Sequence, residues 1–297
     1  MSLPGSFVPT PAGRVFVHRG GKAGGAPLLL IHGWMMSHWY FRPVLEVLGA
    51  EREIFAIDLP GFGESDRPAP SRFAYDAASF AEVVDGVMGA LSLARADVLG
   101  HSMGGGVAIT LAARHPERVQ RLVAVTPGLY RVPVPRLVRL ALLPTVGAWL
   151  MRAGTIRSEF ARSTRALSVR DGRCLDEEWI DYYWSRVNRA GGHDAAHRCL
   201  LNMASASDDN DDPGRVRAPT LIVWGDEDRL VPIAHGRRLA QVIPGARFDV
   251  VPACGHMPFI ERPEEFLRVV RPFLATAAAP AIETPMASRR APTVIAS

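Results

Sequence analysis

Val98-Leu99-Gly100-His101-Ser102-Met103-Gly104-Gly105-Gly106 is the stretch on which the reading of this chain turns. The residues Asp97–Leu99 read as a strand, and a helical pattern begins near Gly104. Between them, Gly100 to Gly104 has the form G-x-S-x-G. In that strand-to-helix context the turn is sharp, the serine backbone is strained, and its hydroxyl stands clear of the strand end. Glycines two before and two after the serine remove Cβ atoms that would collide across so tight a turn.

Outward from this turn the chain alternates. Val15–His18, Leu28–Ile31, Ile54–Leu59 and Leu122–Val125 are short apolar runs, several of them ending at Gly or Pro. Runs of this kind suit strands buried on both faces of a parallel sheet. Between them, Phe80, Val83, Val84, Val87, Met88 and Leu91 form one stripe at helical spacing and predict a helix over about Asp76 to Leu93. From about residue 130 to 213 the rhythm changes to a helical, strand-free pattern opened by Pro133, Pro135 and Pro144. It returns with a strand at Thr220–Trp224, a helix at Ile233–Val242, a strand at Phe248–Val251 and a last helix after Pro263. The predicted fold class is α/β, a mostly parallel central sheet flanked by helices. The core spans residues 1–129 and 214–274, an inserted helical cap spans 130–213, and 275–297, rich in Ala, Pro and Thr, reads as a flexible tail.

A serine hydroxyl needs a base to become a nucleophile, and the base needs a carboxylate to fix its tautomer. Of the nine histidines, His256 is best placed, in the loop Ala253-Cys254-Gly255-His256-Met257-Pro258 after the last strand. Asp226 and Asp228 both follow Thr220–Trp224, within Gly225-Asp226-Glu227-Asp228-Arg229-Leu230-Val231-Pro232, and either could serve as the acid. His32 and His101 read as supports of their loops. Trp34, Met35, Met36, Trp39 and Phe41 are either core or a pocket wall.

Taken together, His32-Gly33-Trp34, Asp58-Leu59-Pro60-Gly61-Phe62-Gly63-Glu64-Ser65, Gly100 to Gly104, Gly225 to Pro232 and Gly255-His256 resemble the α/β-hydrolase fold superfamily over about residues 14 to 274. The resemblance is to its branch of esterases, lactonases, meta-cleavage-product hydrolases and cofactor-free haloperoxidases. It implies the triad Ser102, Asp228 and His256, with Asp228 as the acid and Asp226 as a turn former bonding its own loop. It also implies an oxyanion hole made by the backbone N–H groups of Trp34 and Met103. The activity expected is that of a serine hydrolase cleaving a carboxylic ester or lactone through an acyl-enzyme on Ser102, without cofactor or metal. The same residues would serve a C–C bond hydrolase, a perhydrolase or an acyltransferase, and, less in keeping, a non-catalytic ligand-binding protein. In C–C hydrolases of the family Asn tends to precede the nucleophile, where this chain has His101.

Composition narrows the rest. With 297 residues, 48% hydrophobic and 22% charged, the chain is neither disordered nor a disulfide-stapled scaffold. A net charge of +4 is too mild for nucleic-acid binding without a clustered patch, so the expected partner is a small-molecule substrate. Nine arginines between Arg131 and Arg173 face only Glu159 and Asp171 within that stretch, and read as a solvated helical face. Cys174, Cys199 and Cys254 are too far apart for a C-x-x-C site, and Cys254 reads as a packed thiol. Gly61 to Ser65 lacks the Gly-Lys-Ser/Thr of a phosphate loop, and Asp208 to Asp212 lacks the spacing of an EF-hand. No signal peptide or membrane span is evident, and the expected location is cytoplasmic.

Overall fold

The computed structural model describes residues 3–131, 142–153, 156–205 and 213–276. Its third strand, β3 (Ala26–Ile31), shows why the apolar runs are unbroken. Leu28 and Leu30 enter one core cluster, Leu29 and Ile31 the other, and all four are sealed from solvent. Successive side chains of a strand face opposite ways, so a sheet covered on both faces needs an apolar residue at every step.

β4 (Arg52–Ile57), β5 (Ala96–His101), β6 (Val119–Val125), β7 (Thr220–Gly225) and β8 (Arg247–Val251) are parallel to β3. β1 (Gly5–Thr10) and β2 (Gly13–Gly21) form an antiparallel pair that joins the sheet along β4. The strand order is β1-β2-β4-β3-β5-β6-β7-β8. The chain therefore leaves β3 to one side for β4, then returns to its other side for β5. At such a reversal the connections diverge and leave a crevice at the carboxyl ends of the strands.

Helices cover both faces. α2 (Ala77–Ala90), α3 (Met103–Arg114) and α8 (Ile233–Val242) pack Phe80, Val107 and Leu239 on one face. α1 (Arg42–Gly49), α9 (Pro258–Glu261) and α10 (Pro263–Ala275) pack Val44, Phe259 and Phe266 on the other. α2 begins where Asp76 accepts a hydrogen bond from the Ser79 N–H at 2.7 Å, an N-cap worth about 1 kcal/mol. Neither β1 nor α1 is predicted from sequence.

Between β6 and β7 lie α4 (Pro144–Ala153), α5 (Arg157–Leu167), α6 (Glu177–Val187) and α7 (Gly192–Ser205), with no strand among the described residues of this stretch. α6 is seated by aromatic contact, Tyr182 stacking on Trp39 with ring centroids 4.3 Å apart. Several of the described arginines pair within the stretch, Arg157 with Glu177 and Asp181, Arg162 with Glu159, Arg165 with Glu177 and Arg173 with Asp171, while Arg170 reaches out to Glu227. Arg136 and Arg139 lie outside the described residues. Such surface pairs contribute little to stability one at a time. Asp208–Asp212 and the tail from residue 277 lie outside the described residues.

At the opposite end of the strands, Asp97 is buried between two arginines. Arg52 Nη1 reaches its carboxylate at 2.5 Å and Arg121 Nη1 at 2.9 Å. The same guanidinium groups donate to the carbonyls of Leu274 and Thr276, tying the end of α10 to the sheet.

Candidate active site

Ser102 sits between β5 and α3 with φ 54° and ψ −121°, a conformation that costs a non-glycine residue about 1–3 kcal/mol. The surroundings over-determine it. Its N–H donates to the Val125 carbonyl at 2.9 Å, and its carbonyl accepts from the N–H groups of Gly105, Gly106 and Gly128. A methyl group at Gly100 would run into the Gly104 carbonyl, and one at Gly104 into the carbonyls of Ile31 and His32. The two glycines of the motif thus let α3 back onto the ends of β5 and β3, leaving the serine at the apex.

His256 follows β8 in the loop leading to α9, and Asp228 follows β7. His256 Nδ1 lies 2.7 Å from Asp228 Oδ2. A carboxylate only accepts, so Nδ1 carries a hydrogen, and in the neutral ring Nε2 is the free lone pair. The other carboxylate oxygen, Oδ1, accepts from the N–H groups of Leu230 (2.8 Å) and Val231 (3.0 Å), which fixes the plane of the acid. Asp226 does not bond its own loop. Its Oδ1 accepts from the Cys254 N–H at 3.1 Å, so it joins the acid loop to the histidine loop. Glu261, unmarked in the sequence reading, accepts from the N–H groups on both sides of the histidine, Gly255 (3.1 Å) and Met257 (3.2 Å). The signal for it was a carboxylate five positions after His256, close enough in sequence to turn back on the loop.

The loop after β3 carries Trp34. His32 Nε2 accepts from the Leu59 N–H at 2.9 Å, so its Nδ1–H donates to the Gly33 carbonyl at 2.7 Å. That carbonyl and the Trp34 N–H belong to one peptide unit, so this hydrogen bond sets the direction in which the N–H points. Burial pushes His32 below the usual imidazole range, consistent with a neutral ring in this role. Among the described residues neither the Trp34 nor the Met103 N–H has a backbone acceptor outside regular helix and strand bonding. Asp58 steadies the adjoining turn, accepting from the His38 N–H (2.6 Å), the Glu64 N–H (2.8 Å) and His38 Nδ1 (2.9 Å).

Ser102, His256 and Trp34 line one cavity of about 270 Å³. No hydrogen bond joins Ser102 Oγ to His256 Nε2 among the described residues. Contacts of this kind are often long without substrate and tighten when it binds. Met35, Met36, Leu230 and Met257 add apolar wall. Trp39 and Phe41, grouped with Trp34 in the sequence reading, lie instead in the core. α5 presents Phe160, Ser163, Thr164 and Leu167 to the cavity, the i, i+3, i+4, i+7 face of a helix. Trp34 also reaches α7, its Nε1–H donating to the Ala196 carbonyl at 2.9 Å. Cys254 is fully buried, and burial pushes its thiol well up, away from the thiolate form a nucleophile needs.

Residues 26–263 match the family described as alpha/beta hydrolase fold. The chain belongs to that family. This α/β-hydrolase is 34% identical over 265 residues to a 2-hydroxymuconate semialdehyde hydrolase of Pseudomonas putida, covering 85% of this chain and 88% of that one. It is 32% identical to the enzyme of the same name from Pseudomonas sp. strain CF600, over 87% and 90% of the two chains. It also superposes with a TM-score of 0.76 on a meta-cleavage product hydrolase from Pseudomonas fluorescens IP01, 26% identical, over 91% and 97% of the two chains. The α/β-hydrolase is thus an enzyme of the hydrolase class. Among its described residues no helix is long and apolar enough to cross a membrane.

Proposed function

We propose that this enzyme hydrolyses a carbon–carbon bond beside an aldehyde or ketone carbonyl, in a small conjugated acid of the kind its relatives are named for. The observation that carries this reading is the match, over more than four-fifths of the chain, to 2-hydroxymuconate semialdehyde hydrolases. A more distant relative is named for 2-hydroxy-6-oxo-6-phenylhexa-2,4-dienoate, whose name contains no ester, amide or lactone, so its hydrolysis must break a carbon skeleton.

In the proposed mechanism Ser102, Asp228 and His256 are the catalytic residues. His256 Nε2 takes the Ser102 Oγ proton as the oxygen attacks the carbonyl carbon. Asp228 holds the resulting imidazolium. The N–H groups of Trp34 and Met103 receive the developing oxyanion, and losing one such donor costs about 3–4 kcal/mol of barrier. With the dienol tautomerised to its keto form, its hydroxyl proton moved to the carbon beside the carbonyl, collapse expels that carbon with its charge spread onto the new oxo group, and His256 returns the proton to the departing fragment. Water, deprotonated by His256, then releases the acyl group as an acid. The helices α4 to α7 act as a cap, with α4 and α5 shaping the part of the cavity that grips the substrate.

A second reading, hydrolysis of a carboxylic ester or lactone, is favoured by two observations. His101 precedes Ser102, and among the described residues no arginine or lysine lines the cavity, so its described wall offers a carboxylate no ion-pair partner. The two readings separate by substrate. Wild type and Ser102→Ala are assayed with 2-hydroxy-6-oxo-6-phenylhexa-2,4-dienoate and with short 4-nitrophenyl esters. The first reading expects dienoate turnover that exceeds ester turnover and disappears in Ser102→Ala. Ester turnover alone transfers the assignment to the second reading, and activity that survives in Ser102→Ala removes the nucleophile from both.

A further inference from the structure

The ring of His101 lies against the ring of His256, with centroids 4.8 Å apart, and is itself buried. Its two nitrogens have definite partners. Nε2 lies 2.7 Å from the His256 carbonyl, and Nδ1 lies 2.7 Å from Tyr40 Oη. The Gly33 N–H donates to the same Tyr40 oxygen at 2.8 Å. The directions of these three bonds follow once the His101 ring is neutral. A carbonyl only accepts, so His101 Nε2 carries the hydrogen. Nδ1 is then a bare lone pair, so Tyr40 Oη–H donates to it, and the phenol lone pair is free to accept from Gly33. The chain reads Gly33 N–H to Tyr40, Tyr40 to His101, His101 to the His256 carbonyl, with every donor pointing the same way.

The two ends of this chain are the two moving parts of the proposed chemistry. Gly33 precedes Trp34 in the oxyanion loop, and His256 is the base. We infer that His101 and Tyr40 are positioning residues that hold the oxyanion loop and the histidine loop in a fixed mutual setting, with His101 acting as a neutral Nε2–H tautomer. This rests on the triad reading above. Thr126 Oγ1 supports the same end, donating to the His256 carbonyl at 3.2 Å. Phe259 packs edge-on against both the Tyr40 and the His101 rings and keeps the relay dry.

Neutrality is built into the arrangement. A proton on Nδ1 would turn the acceptor of the Tyr40 hydroxyl into a second donor aimed at it. It would also place a cation beside an imidazole that must itself become positive during turnover. Burial holds His101 well below the usual imidazole range, and the neighbouring His256 and His32 act in the same direction. Opposing them is only the hydrogen bond to the His256 carbonyl.

Two measurements test the inference. In wild-type protein carrying ¹⁵N-labelled histidine, His101 is expected to show the Nε2–H tautomer without titrating between pH 6 and 8. An Nδ1–H tautomer, or a charged ring in that range, overturns it. Second, Tyr40→Phe, His101→Asn and the double variant are compared with wild type in the rate of labelling by a fluorophosphonate. Each single change is expected to slow maximal labelling roughly tenfold to a hundredfold with little change in the half-saturating probe concentration. The double variant should be no slower than the slower single, because both break one chain. Wild-type rates in both singles, or losses that multiply in the double, overturn the inference. The tautomer measurement does not depend on Ser102 being the nucleophile, whereas the disappearance of labelling in Ser102→Ala tests that separately.

Discussion

Ser102 illustrates how much conformational constraint one position can carry. Its positive φ is held by hydrogen bonds from three glycine N–H groups and one to Val125, so the hydroxyl is placed by its backbone and the side chain needs little guidance. The partner residues depend more on tautomer than on place. Asp228→Asn would keep a hydrogen bond to His256 but offer an amide that can donate to Nδ1, leaving the hydrogen on Nε2, where in the proposed mechanism it could not take the serine proton. The expected result is a fall in kcat of about 10⁴-fold with an unchanged melting temperature, read from steady-state kinetics and thermal unfolding. Glu261 acts one step further back. Because it holds the N–H groups flanking His256, Glu261→Ala should lower kcat as well, and crystallography or loop proteolysis should show the 253–257 loop loosened. Activity equal to wild type would show that the loop is rigid without it.

Among the elements, those that carry the site were the most legible. β3 and β7 are almost continuous apolar runs because both faces are covered, β5 is apolar only at Val98 and Leu99 between Asp97 and the glycine turn, and each ends in a motif whose glycines serve close approach, so pattern and motif pointed to the same place. β1 was not legible because its sequence, Gly5-Ser6-Phe7-Val8-Pro9-Thr10, buries only Val8 and leaves Phe7 exposed, and its pairing is dictated by β2. α1 was obscured by the aromatic cluster before it and by Arg42-Pro43 at its start. Tyr40 was not legible because its partner His101 lies at the end of β5, 61 positions away, whereas Glu261 carries a short-range signal, its closeness in sequence to His256, but no motif marks it. The contact between the turn after β4 and the inserted helices is carried by Glu64, paired with Arg186 at 2.8 Å and Arg189 at 2.6 Å. Burial works against the Glu64 charge, but the two guanidinium groups outweigh it and hold the carboxyl below its ordinary range. Its contribution is therefore fully present above about pH 4.5, where the unfolded carboxyl is also ionised. It is lost as the pH falls through the lower folded value, because the unfolded chain takes up the proton first. Glu64→Gln should cost about 1 kcal/mol at pH 7, and the gap should close as the pH falls below the ordinary glutamate range, as read from urea unfolding over a pH series. A gap that persists in acid would assign the effect to packing.

For the molecule as a whole, the two ends of the sheet hold different kinds of group. At the carboxyl ends stand the strained serine, the histidine loops and the cavity. At the other end Asp97 is buried between Arg52 and Arg121, whose guanidinium groups also hold the end of α10. Removing the shared carboxylate leaves a buried cation, Arg121, and a largely covered one, Arg52, without their common partner. Asp97→Ala is expected to destabilise the fold by about 3–5 kcal/mol in denaturant unfolding while the remaining folded fraction labels with fluorophosphonate at the wild-type rate. Distant sites without shared partners respond independently to substitution. Directed evolution can exploit this arrangement. A library confined to Met151, Phe160, Thr164 and Leu167 would redraw substrate preference while leaving untouched the anchor that keeps the scaffold standing, so new specificities should be obtainable here without a matching sacrifice of robustness.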